Sequence, residues 1–109
     1  MTKKDNVVSL DKDFENMIIS ATRYAFGRRT YIVDLTISYV VNLLPLVSDW
    51  CLAILKKDYD SNKAMAERTN DYRFFGDECD KKDWFAFADK LQAEIDRRLN
   101  DGNRHDFLR

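Results

Sequence analysis

The chain is poor in residues that break or reverse a backbone: three glycines and one proline in 109 residues. A sandwich or barrel needs turn chemistry about every ten residues, and that chemistry is missing here. Cysteine is scarce too. Cys51 and Cys79 are too far apart for a C-x-x-C site and too few for a disulfide framework, so a reduced, cytoplasmic protein is expected. The one histidine, His105, stands beside Asp106 near the end of the chain. No G-x-S-x-G, H-E-x-x-H or phosphate-binding glycine loop accompanies it, so neither catalysis nor a cofactor is expected. Charge of one sign is also lacking. Eighteen basic against nineteen acidic side chains give −1, which excludes coating a nucleic acid through net charge alone.

Long apolar runs are absent. "MTKKDNVVSLDKD" is charged and does not read as a signal peptide. The most apolar stretch, "YIVDLTISYVVNLLPLV", is interrupted by Asp34, Asn42 and Pro45 and falls short of the ~18 apolar residues of a membrane span.

What is present is a globular balance, 45% hydrophobic and 34% charged, in a chain long enough for one core. With so few turn formers, the expected fold is all-α, a compact bundle of about four helices. The expected divisions are a flexible N-terminus over 1–8, a helical domain over 9–102 and a C-terminal tail over 103–109.

Ser9 is the expected cap of a first helix, with Asp11 and Asp13 at its positive end. Phe14, Met17, Ile18, Ala21 and Ala25 recur at helical spacing and define its buried face, and Gly27 stops it. "TYIVDLTISYVV" reads two ways. Tyr31, Val33, Leu35, Ile37, Tyr39 and Val41 alternate like a strand, while Ile32, Leu35, Tyr39, Val40 and Leu43 fit a helical face. No second strand offers a partner within the chain, so a helix is expected, capped by Thr30 and ended before Pro45. The alternative is a strand that pairs between two copies. Ser48 is the expected cap of a third helix carrying Trp50, Cys51, Leu52, Ile54 and Leu55, which either continues past Tyr59 or breaks near Ser61. Gly76 marks a turn, and Asp80 is the expected cap of a last helix through Trp84, Phe87, Ala88, Leu91, Ile95 and Leu99, closed by Gly102. Glu94 and Arg98 are expected to pair on its outer side.

Positive charge gathers in "RYAFGRRTYI". Arg23, in the last turn of the first helix, complements the dipole there. Arg28 and Arg29 precede the start of the next helix, where the dipole disfavours cations but backbone N–H groups attract anions. With Tyr24 and Tyr31 near, they form the candidate partner- or anion-binding set: Arg23, Tyr24, Arg28, Arg29 and Tyr31. No metal site is expected. "GDECDKKDW" offers one thiol among carboxylates without histidine, and "DYDSNKAMAE" has Lys63 where a calcium loop needs glycine and Thr69 where it needs glutamate. The second and third helices around "PLVSD" could pass for a helix-turn-helix, but Lys56 and Lys57 are its only cations and Asp58 and Asp60 flank them, so nucleic-acid binding is disfavoured. Charge is uneven along the chain: residues 1–30 sum to +2 and residues 58–80 to −4. "YRFF" and "WFAF" place aromatics on more than one helix face, which suggests an interface and self-association.

The pairing of R-Y-A-x-G-R-R-T-Y at Arg23–Tyr31 with G-D-E-C-D-x-x-x-W at Gly76–Trp84 resembles small helical proteins of phage, prophage and plasmid genomes of Gram-positive bacteria. The resemblance implies a mobile-element accessory protein. Such proteins include anti-CRISPR and other anti-defence inhibitors, which act by binding a host protein and not by catalysis. A nucleotide or phosphate ligand held by the arginines is the second reading, and a nucleic-acid-binding regulator the third.

Overall fold

The computed structural model describes residues 10–26, 30–69 and 78–101, with the backbone alone at 30–34, 69 and 78–81. Among them are four helices and no strand: α1 (Lys12–Ala25), α2 (Thr30–Leu43), α3 (Asp49–Thr69) and α4 (Glu78–Leu99), with a 3₁₀ turn at Leu44–Leu46 before α3. The fold is the all-α bundle that the composition implies. The expected flexible segment 1–8, tail 103–109, cap Ser9, stops Gly27 and Gly102, turn at Gly76, and His105 lie outside the described residues.

Local signals set most helix ends. Asp11 caps α1, its side chain accepting from the Phe14 N–H at 2.8 Å, so the helix starts later than a Ser9 cap would place it. Asp13 and Glu15 in its first turn and Arg23 in its last complement the dipole. Ser48 caps α3 as its sequence position suggests, its Oγ accepting from the Cys51 N–H at 3.2 Å. That helix runs unbroken past Ser61 to Thr69. Helix α4 begins at Glu78, so Asp80 lies within it and does not cap it. Helix α2 has no acid in its first turn and no base in its last. Tertiary burial of Val40, and of Leu44 just beyond the helix end, therefore selects helix over strand in this β-branched stretch.

The helices form a ring in which α1 packs on α2 and α3, and α4 packs on the same two. Bonds between them give the directions. Glu15 meets Ser48 and Arg23 meets Asp58, so α1 and α3 run parallel. Arg98 meets Asp49, so α4 runs antiparallel to α3. The chain must therefore cross the base of the bundle diagonally from α2 to α3, and residues 44–48 make that crossing. The core is filled by Ile18, Ile19, Val40, Leu44, Val47, Leu52, Leu55, Trp84, Phe87, Leu91 and Ile95. Phe26, just past α1, stacks on Trp84 with ring centroids 4.1 Å apart, and Phe87 meets Trp84 edge-on at 5.5 Å.

Two charged side chains hold the crossing. The buried Glu15 carboxylate accepts from the Ser48 N–H at 2.6 Å and from the Ser48 Oγ at 2.8 Å, satisfying the start of α3. Arg98, only 6% exposed, donates through Nη2 to the carbonyls of Leu44 at 2.9 Å and Val47 at 2.8 Å. Its Nη1 reaches Asp49 Oδ1 and its Nε reaches Glu94 Oε2, each at 2.8 Å. Four of the five guanidinium donors are thus used. The Glu94–Arg98 pair is buried, not on the outer side of α4, because positions 94 and 98 continue the stripe of Leu91 and Ile95. Burial opposes ionisation of Glu94, but hydrogen bonds from Arg97 and Arg98 outweigh it and hold the carboxyl below the usual range. Burial, reinforced by Glu15, pushes the neighbouring Cys51 thiol up to about 12, so it is an unreactive core group.

Candidate binding surface

The arginine-tyrosine set does not act as one unit. Arg23 grips Asp58 of α3 through two bonds, Nε to Oδ2 at 2.6 Å and Nη2 to Oδ1 at 3.2 Å. Its guanidinium fastens α1 to α3 on an exposed flank, so its role reaches beyond complementing a dipole. Arg28 and Arg29 lie outside the described residues. Tyr31 belongs to α2, one turn before Leu35, and its backbone alone is described. Tyr24 stands on the outer side of α1, 57% exposed. Of the five residues, the described geometry therefore assigns a structural task to Arg23 and a surface position to Tyr24.

Tyr24 leads to a surface that the sequence reading missed. Met17, read as core, is 63% exposed, and Leu35 and Tyr39, read on the buried face of the second helix, are 69% and 51% exposed. The inner face of α1 is Glu15, Ile18, Ile19, Thr22 and Ala25, which turns Met17 and Tyr24 outward together. Leu35 and Tyr39, one turn apart on α2, face the same way. Between the helices, Ala21, Leu35, Thr36 and Tyr39 line a shallow depression of about 380 Å³. Phe14 supports it from below, meeting the Tyr39 ring edge-on at 6.4 Å.

The centre of the surface is uncharged, although Asp13 and Arg23 stand near its ends on α1. The outward residues from Leu35 to Asn42 include Ser38 and no charged side chain, and Ser20 lies between Met17 and Tyr24 on α1. The other side of the bundle differs. A cleft of about 210 Å³ between α3 and α4 is lined by Lys56, Asp60, Lys63, Asp89 and Gln92, with Lys56 held by Asp60 at 2.7 Å. Burial beside Asp60, Asp89 and Glu67 pushes the Tyr59 phenol in that cleft up to about 12, so it stays neutral. Such a surface interacts well with water.

Aromatic surplus thus sits elsewhere than "WFAF" suggests. Trp84 and Phe87 are core, Phe85 is exposed, and Trp50 is partly covered by Lys12, whose Nζ lies 3.9 Å from the ring centroid. Tyr72, Phe74 and Phe75 lie outside the described residues, and the side chain of Cys79 is not described. Among the described residues, the buried Trp84 indole N–H has no acceptor. No cluster of three His, Cys, Asp or Glu side chains able to hold a metal occurs among the described residues, and no described helix is long and apolar enough to cross a membrane. Comparison with protein families, with characterised proteins and with solved structures gives no match to this chain.

Proposed function

We propose that this chain is a non-enzymatic accessory protein of a mobile element, which acts by stoichiometric binding to a host protein as anti-defence inhibitors do. The observation that carries the reading is the α1–α2 face, where Met17, Tyr24, Leu35 and Tyr39 lie exposed with no charge among them. Tyrosine and methionine are enriched in protein interfaces, and charged residues are depleted at interface centres. Small-molecule pockets, by contrast, enclose their ligand, and the depression between α1 and α2 is too shallow to do so. In this reading Arg28, Arg29 and Tyr31, which follow Tyr24 in sequence, supply anchors for an acidic partner surface. Because Asp58 already engages Arg23, a phosphate or nucleotide site would have to do without one of its three guanidiniums, which favours the protein partner.

The test is affinity capture from host lysate with the wild type and with Arg28→Ala/Arg29→Ala. A host protein recovered in fixed ratio by the wild type and lost by the variant, with an unchanged helical circular-dichroism signal, is the expected result. Loss of the helical signal in the variant would make the pair structural and end the assignment.

A further inference from the structure

The outer line of α1 has a pattern that complements itself. Met17 and Tyr24 are two turns apart, ~10.5 Å along the helix, and between them stand the small residues Ser20 and Ala21. If a second α1 lies antiparallel across the first with its centre at Ser20 and Ala21, the small residues admit close approach of the backbones. Each Tyr24 then falls on the other copy's Met17. Contact i to j and j to i is the signature of a two-fold interface, and a thioether against an aromatic ring is a favourable pair. Helix α2 extends the match, since Leu35 and Tyr39 flank the same line and are exposed on the same side.

We infer that the α1–α2 face is occupied by a second copy of this chain, in a two-fold dimer that sets Tyr24 of each copy on Met17 of the other. The inference rests on reading this face as a protein interface and names its occupant. Charge favours that occupant. Along residues 35–42 a partner with a charged surface would find nothing to pair with, whereas another copy of the face presents the same uncharged stretch. Area agrees. The fourteen residues of α1, ~21 Å long, and the described side chains of α2 at residues 35–43, ~13 Å long, give at ~10 Å width a footprint of ~350 Å². Pairing two such faces covers on the order of 700 Å², the size of a weak, transient interface, so the dimer is expected to be a weak one. The host protein of the proposed function then engages Arg28 and Arg29, which are present twice in the dimer.

Sedimentation velocity of the full chain over ~5 to ~500 µM tests this directly. The wild type is expected to shift from monomer to dimer across the series. Met17→Glu and Tyr24→Lys, both at exposed positions and so compatible with folding, are each expected to weaken dimerisation at least tenfold. Mixing the two variants should restore a heterodimer, because the new carboxylate then meets the new ammonium across the two-fold axis. Ser20→Trp, which blocks the crossing without adding charge, should also yield monomers. A wild type that stays monomeric throughout, variants that still dimerise, or a mixture that does not associate would each overturn the inference. Host capture separates the two levels. If the wild type is monomeric and Met17→Glu loses the captured host protein, the face belongs to that protein and only the second copy is excluded. If Met17→Glu changes neither property, the reading of the face as an interface fails as well.

Discussion

The base of the bundle and its α1–α2 face invert the usual placement of side chains. At the base, Glu15, Glu94 and Arg98 are charged and buried, and their charged atoms are satisfied by one another, by Asp49 or by the crossing segment. On the face, Met17, Tyr24, Leu35 and Tyr39 are apolar or aromatic and exposed. Buried charge is tolerated only when it is paired and hydrogen-bonded, and an exposed apolar patch of a few hundred Å² often marks an interaction site. The two departures therefore have different causes. The base charges resolve a problem of chain topology, the diagonal crossing from α2 to α3, which strips backbone groups of water. The exposed side chains lie on the outer surface of α1 and α2, and in the proposed dimer their complement is the same face of a second copy.

That contrast can be broken first at the base. Arg98→Ala leaves Glu94 and Asp49 without their buried partner and orphans two carbonyls, and should cost about 3–5 kcal/mol of stability in urea denaturation. A loss below about 1 kcal/mol would mean that water replaces the guanidinium and that the crossing needs no brace. Acid should find the same weak point. Glu94 is held below its unfolded value near pH 4.3, so its contribution is complete above that pH and is lost as pH falls through the folded value. The wild type should therefore lose stability more steeply below about pH 4 than Glu94→Gln, which starts lower but lacks this proton linkage. Parallel acid limbs for the two proteins would remove Glu94 from the account. The smallest effect is expected at the flank. Arg23 is more than half exposed, so Arg23→Ala should change stability by no more than about 1 kcal/mol despite its two bonds to Asp58.

Much of the fold was legible in the residues. Four helices follow from the scarcity of turn formers, and the Ser48 cap and the stop before Pro45 follow from local chemistry. The third helix could not be bounded, because beyond Tyr59 only Ala66 is fully buried and the periodic signal fades. The buried charges left a trace that went unread. Glu15 lies three and four residues before Ile18 and Ile19, and positions 94 and 98 lie three after Leu91 and Ile95, so each falls on an apolar stripe. An i, i+4 charge pair suggested a solvated face, and that local rule outweighed the register. The binding face was hidden for the opposite reason. Met17 fits a helical apolar pattern as well as Ile18 does, and only the packing of α1 against both α2 and α3 decides which of them turns inward. In α2, apolar residues occur on all sides, so helical spacing puts Leu35 and Tyr39 on one face with Val40, although of these three only Val40 is buried. A helix of that kind is buried all round, yet among its described side chains Leu35, Ser38, Tyr39 and Asn42 are exposed.

The concentration dependence of the urea denaturation midpoint tests the division between base and face most directly, measured for the wild type, Arg98→Ala and Met17→Glu. A face that binds a second copy makes the wild-type midpoint rise with protein concentration. Arg98→Ala should lie far below the wild type and keep that dependence, while Met17→Glu should match the wild type at low concentration and show none. A dependence lost in Arg98→Ala and retained in Met17→Glu would contradict the account, because it would place the intermolecular contact at the base and leave the face without a role.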